Sequence, residues 1–207
     1  MPMHYQRVAN EAIVVAGLFL VLLANGFAFG DDTIDSNLSP LPFEFVDVHG
    51  KKVSTKDLSN HQAMVLVFVT TDCPIANSYQ PALARMYQEF QKKGFVFVLV
   101  HEGHEQAKET IENHTREYAV PFFVALDPQH SIAQKFGATT TPEVCVLNKK
   151  GERLYLGRID DLHQGFGKKR FAATREDLKI ALMEIASGAE VSVPTTRAVG
   201  CLIPSKR

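Results

Sequence analysis

The sequence lacks the features that would assign several broad functional classes. Its 22 Lys and Arg residues nearly balance its 23 Asp and Glu residues, and no block of like charge exceeds a few residues. A nucleic-acid-binding surface normally carries an excess of positive charge, so we expect no nucleic-acid partner. No internal repeat or low-complexity tract is present, and 45% hydrophobic with 22% charged residues is typical of a globular domain.

Cysteine is also scarce, with Cys73, Cys145 and Cys201 as its only occurrences. Three cysteines are too few to hold a small scaffold together by disulfides, so we expect them to act individually. Cys145 lies between two valines in a predicted strand, which favours a buried structural thiol. Cys201 lies in a C-terminal segment with Gly200 and Pro204 nearby, which predicts a segment that is free to move.

The N-terminus differs from the rest of the chain. Arg7 precedes an apolar run at residues 12–24, and small residues such as Ala28 and Gly30 follow it. This layout predicts a secretory signal over residues 1–30 and export to the periplasm or the extracellular space, with no membrane contact after cleavage. The alternative is an uncleaved membrane anchor.

The remaining chain predicts one domain over residues 31–190 and a tail over 191–207. Strands alternate with helices, which favours an α/β fold with a mainly parallel sheet covered on both faces. A hairpin near the end adds antiparallel strands. The predicted strands are 43–48, 64–69, 95–100, 121–126, 143–148 and 153–157, and the predicted helices are 78–93, 106–118, 128–136 and 175–187.

The turn at residues 70–77 joins a strongly apolar strand to an amphipathic helix and contains Cys73. A thiol at this position faces the N–H groups and the positive dipole end of the helix, which favour the thiolate. The thiolate is the nucleophile of disulfide and peroxide chemistry. We therefore predict that Cys73 is an exposed, reactive nucleophile; the alternative is a buried structural cysteine.

Two further features resemble a known family. Pro81 follows Cys73 by eight residues, like the helix-bending proline of thioredoxins, and Thr141-Pro142-Glu143-Val144 resembles their cis-proline segment. Over residues 40–187 the chain resembles a thioredoxin-fold redoxin of the alkyl hydroperoxide reductase and thiol-specific antioxidant (peroxiredoxin-like) superfamily. The resemblance implies a thioredoxin-like three-layer sandwich: a central mixed sheet with helices on both faces. It also implies that Pro142 is cis and within contact range of Cys73.

The chain departs from the relatives at the second thiol. Thioredoxins have a second cysteine where this chain has Ala76, and copper chaperones of the Sco type have one where it has Asn77. Cys73 therefore has no partner within its own turn. Thr70 is similar to the threonine that peroxiredoxins carry three residues before their cysteine. Arg158 resembles their catalytic arginine, which implies a charge that lowers the thiol pKa; a surface arginine is the alternative.

Two reaction routes follow from this resemblance. A peroxide could oxidise Cys73 to a sulfenic acid, or Cys73 could attack a substrate disulfide. Both routes benefit from a second thiol, for which Cys201 is the candidate resolving residue; the alternative is that Cys201 pairs with a partner molecule or is an inert thiol. We predict an exported thiol-dependent oxidoreductase of antioxidant type, without a cofactor. Its expected partner is an external thiol reductant or a protein disulfide; the oligomeric state stays open.

The competing hypothesis is a non-catalytic thioredoxin-fold module that binds copper or a partner protein. His101 and His104 follow a predicted strand at the same edge of the sheet as Cys73 and could hold a metal with it. No helix holds the two histidines in register, so a solvated loop is the favoured interpretation, and we predict no metal site.

Overall fold

The computed structural model describes residues 44–54, 60–103 and 108–204. The predicted signal at 1–30 and His104 lie outside these ranges. The strands are β1 (Glu44–Asp47), β2 (Lys52–Ser54), β3 (Ala63–Val69), β4 (Phe95–Glu102), β5 (Phe123–Asp127), β6 (Thr140–Thr141), β7 (Glu143–Asn148), β8 (Arg153–Gly157), β9 (His163–Gly165), β10 (Lys168–Lys169) and β11 (Cys201–Leu202). The helices are α1 (Pro74–Phe90), α2 (Lys108–Glu117), α3 (Ser131–Phe136) and α4 (Asp177–Ser187).

Seven strands form one mixed sheet in the order β2-β1-β5-β4-β3-β7-β8. Only β3–β4 and β4–β5 pair in parallel, so the sheet is less parallel than the alternation of strands and helices predicts. Every residue of β3 is buried, as expected for a central strand covered on both faces.

Alternate residues of the strands point into two separate hydrophobic clusters. One cluster packs the sheet against α1, α2 and α4, and contains Leu83, Ile111 and Leu182. The other packs it against α3 and contains Ile132 and Phe136. The predicted α/β sandwich with helices on both faces is therefore confirmed.

Helix α1 begins earlier than its hydrophobic spacing predicts, because Cys73 is its N-cap. The Cys73 side chain accepts from the backbone N–H of Ala76, and Pro74 occupies the first turn, where its missing N–H is not needed. Pro81 lies inside the helix. After α1, a single 3₁₀ turn at Gln91–Lys93 ends at Gly94, whose φ of 81° is the left-handed conformation expected of a closing glycine.

The starts of two later helices also differ from prediction. Helix α3 starts at Ser131 rather than Pro128, because Asp127 caps it from a distance: its carboxylate accepts from the N–H groups of Ser131, Ile132 and Ala133. Helix α4 starts at Asp177, because the side chain and N–H of Thr174 donate to Asp161 instead of capping the helix.

A buried acid beside Asp127 makes stability depend on pH. Burial, and then the charge of Asp127, raise the pKa of Glu102 to about 9 from its ordinary value of 4.5. The folded state therefore keeps a proton that the unfolded state loses, so stability falls as pH rises between these two values. His130 Nδ1 lies 2.7 Å from Glu102 Oε2. A glutamine at position 102 would keep a polar group at this contact.

We expect Glu102→Gln to stabilise the protein at pH 8 by about 1 kcal/mol or more and to flatten this pH dependence. Thermal unfolding followed across the pH range measures both effects, with Glu109→Gln in the exposed first turn of α2 as the control. Equal slopes in the parent and in Glu102→Gln would show that Glu102 titrates normally in the folded state.

The C-terminal segment is not a free tail over its described length, residues 191–204. The N–H of Leu156 donates to Pro194 O and the N–H of Thr196 donates to Leu156 O, which attaches the segment to β8. Strand β11 then pairs antiparallel with β6, and Ile203 N–H donates to Thr139 O. In the described residues we find no helix with the length and apolar character needed to cross a membrane.

Candidate active site

Cys73 lies where β3 ends and α1 begins, and it is completely buried, with a relative exposure of 0%. The expectation that it is exposed was wrong. Its Sγ lies 3.1 Å from the carbonyl oxygen of Thr141, on β6, and the C-terminal segment covers this side of the turn by pairing with the same residue. The thiol is thus enclosed by β6, at Thr141, and by β11, at Cys201, which lie 68 and 128 residues later in the chain.

Despite this burial, the surroundings favour the thiolate. Burial alone would raise the pKa of Cys73, but the N–H of Ala76, the thiol and backbone of Cys201 and the hydroxyl of Thr141 stabilise the anion, and the net effect is a lowered pKa. The Ala76 N–H lies 3.5 Å from Sγ. A cysteine with a lowered pKa at a helix N-terminus is the expected state of a thiol nucleophile.

The second thiol of the site is Cys201, which the sequence suggested as a candidate without indicating its position. Strand β11 places it directly opposite Thr141, and it is half-buried beside Cys73. Burial, followed by the hydrogen bond and negative charge of Cys73, raises the pKa of Cys201 to about 11, and Asp72 adds to this effect. Ionisation of Cys73 is therefore favoured over ionisation of Cys201. All three cysteines are free.

The position of Cys201 depends on very close backbone packing. An added Cβ on Gly200 would overlap the carbonyl oxygen of Thr141, and one on Gly157 would overlap Thr196. Both contacts lie along the path of the C-terminal segment. Glycine at these two positions permits the segment to approach β8 and β6 closely enough to bring Cys201 to the site.

The predicted cis-proline segment is present. The Thr141–Pro142 peptide bond is cis, as expected, and its Thr141 carbonyl is the group that contacts Cys73. The Thr70 hydroxyl lies 3.5 Å from the Thr141 hydroxyl, which places it at the edge of the same site. Cys73 N–H donates to Thr70 O at 3.4 Å.

Arg158 takes part in a different contact from the one predicted. Its Nε donates to Asp177 Oδ2 at 2.7 Å, and this carboxylate is buried. Among the described contacts we find none between the guanidinium and the Cys73 sulfur. A direct charge effect of Arg158 on this thiol stays a prediction.

His101 lies on the face of the sheet that packs against α1, α2 and α4, the face on which Cys73 also lies. Its ring packs against the ring of His114, with centroids 5.2 Å apart. Burial lowers the pKa of His101 to about 3, which keeps it neutral. Within the described ranges, no three His, Cys, Asp or Glu side chains gather closely enough to hold a metal ion. Cys145 is fully buried in β7, and burial raises its pKa strongly, as expected of a structural thiol.

The model of the AhpC/TSA family matches residues 36–153, more than half of the chain. The chain belongs to this family. The matched region contains Cys73, Thr70 and the Thr141–Pro142 bond, but it ends before Arg158, α4 and Cys201. The second thiol therefore comes from a part of the chain that the family model does not reach.

Curated relatives carry the name thiol-disulfide oxidoreductase ResA. The protein from Bacillus subtilis (strain 168) is 25% identical over 150 residues, which cover 69% of this chain and 82% of the relative. The protein from Bacillus thuringiensis (strain Al Hakam) is 24% identical over 143 residues, covering 68% and 79%. The family and these relatives together support a thiol-based oxidoreductase.

Solved structures show the same fold. An uncharacterized conserved protein from Geobacillus kaustophilus superposes with a TM-score of 0.72 at 24% identity, covering 81% of this chain and 90% of its own. A hypothetical protein from Sinorhizobium meliloti 1021 gives 0.70 at 23% identity, with coverages of 80% and 91%. A secreted Mycobacterium tuberculosis disulfide oxidoreductase gives 0.52 at 17% identity, with coverages of 72% and 98%.

Two further groups, from distant parts of the chain, complete the site. The Thr141 carbonyl contacts the sulfur, and Gly200 lets the C-terminal strand reach it. The quoted Thr141-Pro142 motif did point to the first. No local pattern pointed to the second, since glycine in a tail of mixed composition is also what a flexible segment contains.

Proposed function

We propose that the protein is a thiol-disulfide oxidoreductase in which Cys73 is the nucleophile and Cys201 is the second thiol. The observation that carries this proposal is geometric: strand β11 places Cys201 opposite Thr141, whose carbonyl oxygen lies 3.1 Å from the Cys73 sulfur. In this arrangement Cys201 lowers the pKa of Cys73, while its own pKa is raised. One thiol is thus prepared to attack, and the other keeps its proton until a mixed disulfide has formed. The names of the curated relatives agree with this chemistry.

The proposed reaction begins when the Cys73 thiolate attacks one sulfur of a substrate disulfide. The substrate S–S bond breaks, one substrate thiolate leaves and takes up a proton, and Cys73 is held in a mixed disulfide. Cys201 then loses its proton and attacks the Cys73 sulfur, releasing the second substrate thiol. Two electrons have passed from the protein to the substrate, and an external thiol must reduce the resulting Cys73–Cys201 disulfide.

Access to Cys73 requires the C-terminal segment to move, because the sulfur has no exposed surface. Strand β11 is held on β6 over only two residue pairs, Cys201–Thr141 and Leu202–Thr140. A ladder this short can open locally without unfolding the domain. We infer that opening of β11 admits the substrate and that its return brings Cys201 to the mixed disulfide.

Disulfide mapping tests this proposal. After oxidation with a small disulfide, we expect mass spectrometry to find a Cys73–Cys201 bridge and a free Cys145. In Cys201→Ser, we expect the reaction to stop at a mixed disulfide on Cys73. A bridge to Cys145, or a mixed disulfide on no cysteine, would contradict the proposed roles.

Peroxide reduction is the second candidate function, favoured by Thr70 and its hydroxyl contact to Thr141. In that reaction the Cys73 thiolate would attack the peroxide, release an alcohol or water, and become a sulfenic acid. Cys201 would then condense with the sulfenic acid to give the same Cys73–Cys201 disulfide and water. Rates of thiol loss with hydrogen peroxide and with a small disulfide distinguish the two. A sulfenic acid trapped in Cys201→Ser at physiological peroxide concentration would favour the peroxide route.

We also propose that the protein works after export, where a dithiol site has disulfides to exchange. The N-terminal layout of Arg7, the apolar run 12–24 and the following small residues supports this proposal. Its partner would be a membrane or extracytoplasmic thiol reductant. Fractionation of cells that express the full chain, with and without residues 12–24, tests the location.

A further inference from the structure

A cleft of about 960 Å³ runs beside the C-terminal segment, and its lining includes Gly200 and Leu202, the residues on either side of Cys201, but neither Cys73 nor Cys201. One wall is the stretch at residues 197–200, and the opposite wall is the β9–β10 hairpin with Phe166 at its turn. Thr140 and Leu202, which also line the cleft, are the pair adjacent to Thr141 and Cys201 in the β6–β11 ladder. Because side chains alternate along a strand, a molecule bound here would lie against the face of the β6–β11 ladder opposite to the Cys201 side chain, one residue pair along the ladder.

The cleft is lined by three arginines. Arg158 and Arg170 are held by the carboxylates of Asp177 and Asp161, which fix them in place. Arg197 is exposed, and within the described part of the chain it has no ion pair or hydrogen bond. The adjoining exposed pair Lys168 and Lys169 adds positive charge to the hairpin wall.

The acidic side chains at the cleft do not balance this charge. Glu143 and Asp161 are the only ones among its described lining residues. Glu143 accepts from the backbone N–H groups of Thr139 and Thr140, and the Asp161 carboxylate pairs with Arg170. The charge of Asp72 reaches Cys201, but Asp72 does not line the cleft. With Asp177, which pairs with Arg158, three carboxylates stand against three arginines. The excess positive charge is therefore that of the exposed Lys168 and Lys169, and Arg197 is the arginine of the cleft that has no ion pair among the described residues.

We propose that this cleft binds the carboxylate groups of the substrate, so that the protein prefers anionic disulfides. Arg197 would bind a carboxylate directly, since a guanidinium presents paired N–H donors to its two oxygens. Phe166 and Leu202, which are 71% and 82% exposed, offer apolar surface to the carbon chain between carboxylate and sulfur. This inference rests on the proposed function, because it names the substrate class of the same thiol pair.

Three small disulfides of similar size test the preference: dithiodipropionate, which is a dianion, hydroxyethyl disulfide, which is neutral, and cystamine, which is a dication. Each kcat/KM is divided by the rate of the same disulfide with free dithiothreitol, which removes differences in intrinsic reactivity. At low ionic strength we expect the normalised value to be about tenfold higher for the dianion than for the dication. Added salt should reduce this ratio.

Arg197→Gln should lower the ratio of the dianion rate to the neutral rate about threefold, mainly through KM. The matched control, Arg116→Gln on α2, removes an equal charge from a helix that does not line the cleft and should leave all ratios unchanged. Equal normalised rates for the three disulfides, or an unchanged ratio in Arg197→Gln, would overturn the inference while leaving the thiol chemistry intact. Failure to reduce even the neutral disulfide would instead overturn the proposed function.

Carboxylates can come from a small molecule or from an acidic polypeptide. A disulfide-linked peptide with aspartates beside its cysteines, compared with the same peptide carrying lysines, separates these sources. A preference for the acidic peptide that exceeds the preference for dithiodipropionate would assign the cleft to polypeptide substrates. The reverse order would assign it to small disulfides, and no preference in either pair would contradict the inference.

Discussion

Replacing Cys73 with serine is expected to lower kcat/KM for disulfide reduction more than about a thousandfold. The hydroxyl of serine is not ionised near neutral pH, so the helix N–H groups that stabilise a thiolate have no nucleophile to activate. Serine is also a favourable N-cap residue, so α1 should form normally in this variant. The loss can then be attributed to chemistry. A coupled assay with hydroxyethyl disulfide and dithiothreitol measures it.

Cys145→Ala is the matched control, because it removes a cysteine that is equally buried but lies in the middle of β7. It should keep turnover within about a factor of two of the parent chain, since a buried thiol with a raised pKa cannot supply a thiolate. Full activity in Cys73→Ser would exclude every thiol mechanism at this turn. The non-catalytic module would then be the better hypothesis, and binding to a partner would become the next measurement.

The fold was largely predictable because its signals are local. Apolar runs bounded by turn residues gave the central strands, and the spacing of Leu83, Met86 and Phe90 gave the buried side of α1. The ends of helices were harder to place. Asp127 and Thr174 look alike as capping residues in sequence, but only Asp127 reaches the N–H groups of a helix, while Thr174 donates to Asp161.

The parts of the site that the sequence predicts are those carried by a short, continuous stretch of residues. Cys73 and the cis bond before Pro142 lie within short, recognisable segments, and both are where the sequence placed them. The enclosure of Cys73 was not predictable, because it depends on hydrogen bonds from the backbone of a segment more than 100 residues later in the chain. Those bonds leave no periodic pattern in the side chains of residues 191–204.

Gly200→Ala is expected to separate the two thiols without changing either of them. The new Cβ would overlap the Thr141 carbonyl oxygen, and backbone atoms cannot turn aside as a flexible side chain would, so β11 must leave β6. Formation of the Cys73–Cys201 disulfide should slow about a hundredfold, because Cys201 is no longer held beside its partner. Rapid quenching followed by mass mapping measures this rate. Gly165→Ala is the control, since its Cβ would meet only the end of Lys168 at 3.9 Å.

The same variant should make Cys73 more accessible to reagents in solution. Alkylation by iodoacetamide is expected to accelerate at a pH where the thiol is ionised, because the covering strand has moved. Two opposite effects then act on the pKa of Cys73: exposure removes the burial that raises it, and loss of the hydrogen bonds from Cys201 removes a cause that lowers it. Alkylation rates measured as a function of pH separate the change in accessibility from the change in pKa. A Gly200→Ala protein with unchanged alkylation rates and unchanged disulfide formation would mean that β11 does not control the site, and that Cys201 reaches Cys73 by another path.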